Sequence, residues 1–142
     1  MEHPKDVGDR STLAIILALH ARGFTVLLPF GENTRYDLVI DDNIKMARVQ
    51  CRTGRLVDGS VIFRTSSSYV HHAKPKVPTR TYLGEIDHFA VYSPKLGSVY
   101  LIPIADVATK QYASLRVEQP RNGQLKRIRL ASAYEIGRVA VS

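Results

Sequence analysis

Two strand-patterned runs, Tyr36 to Asp41 and Lys45 to Thr53, stand on either side of Asp42-Asn43, and no other feature constrains this chain as much. Asp and Asn bond their own main chain and tolerate the left-handed backbone of a tight turn, so the pair predicts a hairpin. With a loop spanning Asp42 to Lys45, Asp41 faces Met46 and Asp37 lies opposite Gln50. Side chains alternate along a strand, so Asp37, Gln50 and Arg52 share one face. Val49 and Cys51 then turn to the other, toward packing. One end of the hairpin thus collects a carboxylate, an amide oxygen and a guanidinium.

Elements before and after the hairpin fill in a mixed fold. From about Asp9 to Arg22, Leu13, Ile16, Leu17 and His20 recur at helical spacing, with Asp9 or Ser11 as the expected cap and Gly23 as the stop. Phe24 to Leu28 reads as a strand ended by Pro29 and the turn-rich residues Phe30 to Asn33. Val61 to Thr65 follows the Asp58-Gly59 turn as another strand. Ser66 to Thr81 reads as a long exposed loop. His88 to Tyr92 and Ser98 to Ile102 form a second hairpin. A short helix near Ile104 to Lys110, a strand at Ser114 to Val117, a turn at Pro120 to Gly123, basic Lys126 to Leu130 and a short helix near Ala131 to Ile136 complete the chain. A leading helix, an antiparallel meander and then mixed elements predict one α/β (α+β) domain, residues 1–142, with a central mixed sheet flanked by helices.

Charge narrows the partner. The net charge is +7 and the pI about 9.8, which favours a polyanion. Its distribution says more. Lys45, Arg48, Arg52, Arg55, Arg64, Lys74, Lys76 and Arg80 face a single acid, Asp58, between Asn43 and Gly84, while Glu2, Asp6, Asp9, Glu32, Asp37, Asp41 and Asp42 gather before it. The lone cysteine, Cys51, excludes an internal disulfide and is expected to pack in the core. One Cys with five His excludes a zinc-finger framework. Leu13 to Leu19 is too short to span a bilayer. Asp6 and Asp9 sit where a secretion signal excludes acid, so the expected location is the cytoplasm. His71-His72 reads as a loop pair touching phosphate or solvent, and Ser66-Ser67-Ser68 as hydroxyls for a nucleic-acid backbone.

The face shared by Asp37 and Gln50 offers hard oxygen ligands. With the backbone carbonyl of Cys51 they suit Mg²⁺ or Mn²⁺, and a cation there activates water and polarises a phosphate. Arg52 beside them suits developing negative charge.

These same residues carry a family resemblance. The run Pro29-Phe30-Gly31-Glu32-Asn33-Thr34-Arg35-Tyr36-Asp37-Leu38-Val39, followed by Arg48-Val49-Gln50-Cys51-Arg52-Thr53-Gly54-Arg55, resembles the PD-(D/E)xK nuclease superfamily. It is closest to the branch of group I intron-associated homing endonucleases, themselves similar to Holliday-junction resolvases, a branch with Gln at the acidic position. The likeness continues through Ile86 to Tyr92 and Val99 to Pro103. It implies a restriction-endonuclease-like core and a metal-dependent DNA endonuclease acting as a homodimer or homotetramer. It also implies catalytic roles for Asp37, Gln50, Arg52 and Glu32, and metal ligation by Asp37, Gln50 and the Cys51 carbonyl. DNA contacts fall to Arg35, Arg55, Arg64, Ser67, His71, Lys74 and Lys76. Two positions depart from the pattern. Arg52 stands where the family has Lys, and Thr12 stands where its first helix usually carries Glu. Asp9, one turn earlier, and Glu32 are the candidates to compensate as metal ligands. The departures also leave open an alternative: a DNA-binding protein that keeps the nuclease fold without cleavage.

Overall fold

The computed structural model describes residues 3–31, 33–67, 80–107, 111–118 and 128–139. Helix α1 (Pro4–Ala21) begins earlier than the apolar periodicity announces. Pro4 is pre-set for the first turn, and His3, rather than Asp9 or Ser11, is the cap: its Nδ1 accepts the Lys5 amide at 3.1 Å. Ser11 is buried within the helix, and its hydroxyl pairs with that of Thr53. Gly23, at φ +94°, ends the helix as expected.

Strands β1 (Thr25–Leu27), β2 (Leu38–Asp41) and β3 (Met46–Thr53) follow. The predicted hairpin forms in the predicted register, with Asp41 opposite Met46 and Leu38 opposite Val49. Asp42 fixes its turn by accepting the Ile44 and Lys45 amides, each at 2.9 Å, while Asn43 takes φ +72°. A second hairpin is built from β4 (Arg55–Val57), a strand too short to read in advance, and β5 (Ser60–Arg64). Asp58 and Gly59 turn it at positive φ. The expected loop from Ser66 to Thr81 is closed at its root by β6 (Ser66–Ser67) pairing with β7 (Arg80–Thr81). Residues 68–79 lie outside the described residues.

Strands β8 (His88–Ser93) and β9 (Ser98–Pro103) form the later hairpin, and β10 (Tyr112–Arg116) lies antiparallel to β5. The two expected late helices are corrected. The first is a single 3-10 turn, Ile104–Asp106, with 108–110 outside the described residues. The second is a 3-10 turn, Ala131–Ala133, that gives way to strand β11 (Glu135–Arg138). The free edge of β9 decides that outcome: β11 pairs with it antiparallel, and the register shifts between Glu135 and Gly137. The turn at Pro120 to Gly123 lies outside the described residues.

The main sheet runs β1-β2-β3-β8-β9-β11, and all neighbours are antiparallel except β3 and β8. Arg48 and Asp87 lock the start of that parallel pair: each backbone N–H donates to the other residue, to Asp87 Oδ2 at 2.8 Å and to Arg48 O at 2.9 Å. The sheet has two covered faces. Helix α1 packs on one, with Ile15, Leu19, Leu38, Val49 and Cys51 in a first core. The small sheet β10-β5-β4 closes over Phe89, Val91 and Ile102 on the other, with Phe63 and Leu115 in a second core. The expected α+β fold around a central mixed sheet is what forms: among the described residues one α-helix, α1, flanks that sheet, and the small sheet covers its other side. No helix among the described residues is long and apolar enough to cross a membrane.

Candidate active site

Strand β3 alternates between the two cores. Ala47, Val49 and Cys51 are buried against the helix, whereas Arg48, Gln50 and Arg52 are half-buried on the opposite face. This is the division that the sequence predicts for Gln50, Arg52 and Cys51.

Asp37 sits one step beyond the ladder. Strict continuation of the register would set it opposite Gln50, but the pairing ends at Leu38 and Val49. The Asp37 amide instead donates to Val49 O at 2.9 Å, and its Oδ2 accepts the Cys51 amide at 2.8 Å. The carboxylate is thus fixed on the peptide joining Gln50 to Cys51, so Asp37 and Gln50 meet by a side-chain bond to that peptide rather than as a backbone pair. From this edge it is sensed on both sides of the sheet. Burial first, and the Asp37 charge after it, raise the Cys51 thiol pKa on the helix side, while the Arg52 charge acts on Asp37 from the other.

Burial pushes the Asp37 carboxyl above its ordinary range; the Cys51 amide and the Arg52 charge oppose that rise without cancelling it. A carboxylate under-compensated in this way is well placed to receive a cation. The donor set agrees. Amide and carbonyl groups on alternate residues of β3 point to alternate sides, and the Cys51 amide faces Asp37, so its carbonyl does too. Asp37, Gln50 and that carbonyl offer oxygens only, the chemistry of Mg²⁺ or Mn²⁺. Among the described residues no three His, Cys, Asp or Glu side chains converge. A cation here would lean on one carboxylate, with water and phosphate completing its shell, as Mg²⁺ commonly does. Glu32, the second expected acid, lies outside the described residues.

The helix addresses the same spot from the other side. Thr12 hydrogen-bonds the Cys51 thiol, and its hydroxyl also donates to Gly8 O at 3.0 Å. The position from which the family's helical Glu would act therefore does reach the Asp37 neighbourhood. Asp9, one turn earlier, is exposed and forms no hydrogen bond or ion pair among the described residues.

Arg52 is anchored. Its Nε donates to Arg64 O at 3.0 Å and its Nη2 to the Tyr82 hydroxyl at 2.9 Å. The Arg35 guanidinium lies 3.9 Å from the centroid of the same Tyr82 ring and donates through Nε to Glu85 Oε2 at 2.6 Å. Tyr82 is 5% exposed and meets Phe89 edge-on. Neither Tyr82 nor Glu85 is singled out by the sequence as part of the site. They stand about thirty residues from Arg52, and no local pattern connects them to it.

Of the expected DNA contacts, Arg55 is exposed on β4 and Arg64 is half-buried at the end of β5, its Nε on Ser66 O at 2.9 Å. Arg35 is engaged as described, and Ser67 contributes backbone to β6. The Ser67 side chain and His71, Lys74 and Lys76 lie outside the described residues.

Comparison with known proteins bears on the family and the fold. The family model described as PD-(D/E)XK endonuclease matches residues 2–137. A solved structure, described as the structure of a bacterial homing endonuclease, I-Ssp6803I, superposes with a TM-score of 0.75 at 22% identity, covering 94% of this chain and 89% of that one. A search of curated protein sequences gives no match.

Proposed function

Given that the chain belongs to the PD-(D/E)XK endonuclease family, we propose that it hydrolyses DNA phosphodiester bonds with the help of Mg²⁺ or Mn²⁺. The observation that carries this reading is the Asp37 carboxylate held on the Gln50–Cys51 peptide. A divalent cation, when bound, would activate the attacking water and polarise the scissile phosphate. The Asp37 oxygen not engaged by Cys51, the Gln50 amide oxygen and the Cys51 carbonyl would hold it. Arginine side chains act as fixed charges, so Arg52 contributes charge rather than a base. Anchored through Nε and Nη2, it keeps Nη1 for a phosphoryl oxygen, where charge grows during attack. Glu32 would add acid to the same cation. Arg35, Arg55, Arg64, Ser67, His71, Lys74 and Lys76 would line the DNA path. Two strands need two such sites, which favours a homodimer or homotetramer. The expected location is the cytoplasm.

A test uses the purified protein with Mg²⁺ or Mn²⁺ and duplex or four-way-junction DNA. Cleavage is expected, falling on the order of a hundredfold or more in Asp37→Ala. No cut on any substrate, with no Mn²⁺ binding lost in that variant, would overturn the reading. The tethering of Arg52 and the Thr12 hydroxyl favour one second reading, a DNA-binding protein that keeps the fold and no longer cuts. Under it, binding is steeply salt-dependent and indifferent to Asp37→Ala. Cleavage gained in the double variant Thr12→Glu, Arg52→Lys would identify that case.

A further inference from the structure

Arg52, Tyr82, Arg35 and Glu85 come from three separate stretches of chain, yet they form one connected group beside Asp37. Glu85 holds Arg35, Arg35 covers the Tyr82 ring, and the Tyr82 hydroxyl takes Arg52 Nη2. Tyr82 is itself immobile, buried to 5% exposure with Phe89 against its edge. An arginine side chain has several rotatable bonds and loses affinity for an anion when it must be ordered at the moment of use. Here two hydrogen bonds order it beforehand. A lysine in this place would offer its donors from one nitrogen on a flexible stem, without the planar fork that lets two nitrogens of Arg52 be anchored while a third faces outward.

We infer that Tyr82 is a positioning residue that holds the Arg52 guanidinium in place for the scissile phosphate, with Arg35 and Glu85 keeping the Tyr82 ring where that hydrogen bond can form. The inference rests on the nuclease reading for its catalytic consequence but not for the tether itself. Removing only the hydroxyl, in Tyr82→Phe, keeps the ring and both packing contacts. The cost of a hydrogen bond to a charged group then predicts a fall in kcat of about tenfold, with KM for DNA unchanged. In an Arg52→Ala background the same change should have almost no further effect, because nothing remains to position.

The second readout needs no cleavage. The Arg52 Nη2 protons, observed by ¹⁵N NMR, should exchange slowly in the wild-type protein and about tenfold faster in Tyr82→Phe. If the wild-type protein leaves DNA uncut, the nuclease reading fails and the exchange rates still decide the tether. Equal exchange in the two proteins overturns the inference. So does a kcat loss that persists in the Arg52→Ala background, or one matched by an equal rise in KM.

Discussion

At the scale of single residues, the chain holds polar groups where burial works against their charge, and Asp37 is not the only case. His88 opens β8, and its Nδ1 is buried without a hydrogen-bond partner among the described residues. Burial lowers its pKa below the ordinary value of 6.5; Asp87 works against that and Lys45 with it. The neutral ring is therefore the form that the fold accepts. Its contribution is complete above the unfolded value, about pH 6.5, and is lost as the pH falls through the folded value, because the unfolded chain then binds the proton more readily. His88→Gln should flatten the acid side of the stability curve, measured as urea midpoints between pH 5 and 7.5. An unchanged acid limb would show that other groups govern it. Residue chemistry was legible in the sequence only where it was local. Asp37, Gln50 and Arg52 could be placed because a single turn fixes their spacing. Tyr82 could not, because its contact with Arg52 depends on how the second sheet folds back.

Elements were legible in proportion to how far their own pattern decides them. The β2–β3 hairpin, β8 and β9 fall within a residue or two of expectation, since turn chemistry and alternation agree there. Late residues 131–138 misled because a brief apolar run suits a helix or a strand equally, and pairing along the edge of β9 made it a strand. Gly54 shows the same kind of tertiary constraint. It stands where the chain leaves β3 for β4, and its amide donates to Tyr92 O at 2.7 Å. A methyl group placed on it would come 2.5 Å from Val61 Cγ1 and 2.8 Å from Val91 Cγ1. Both valines are fully buried and stiff at χ1, so neither yields cheaply. Gly54→Ala should cost about 1–3 kcal/mol, read as a lower urea midpoint at unchanged m-value. A midpoint within error of wild type would mean that the junction is looser than its geometry indicates.

Across the whole molecule, the main sheet is shared property. β3 and β8 lend Val49, Cys51, Ala90 and Tyr92 to the core beneath α1, and β8 lends Phe89 and Val91 to the core beneath the small sheet. Neither core can come apart without exposing the back of the other. Thermal unfolding should then be one transition, coincident by far-UV and near-UV circular dichroism. Leu19→Ala in one core and Leu115→Ala in the other should each lower that same Tm. Two separated transitions, each sensitive to one variant, would contradict this. The parallel pairing of β3 with β8 has a further consequence. Parallel neighbours cannot be joined by a tight turn, so residues 54–87 form an excursion that leaves from the end of β3 and returns beside Arg48, near its start. Lengthening such an excursion costs only about 0.6 kcal/mol per doubling and disturbs no ladder of the main sheet. The architecture thereby leaves room for growth: the strand that carries Gln50 and Arg52 keeps its ladders while the stretch beside it lengthens.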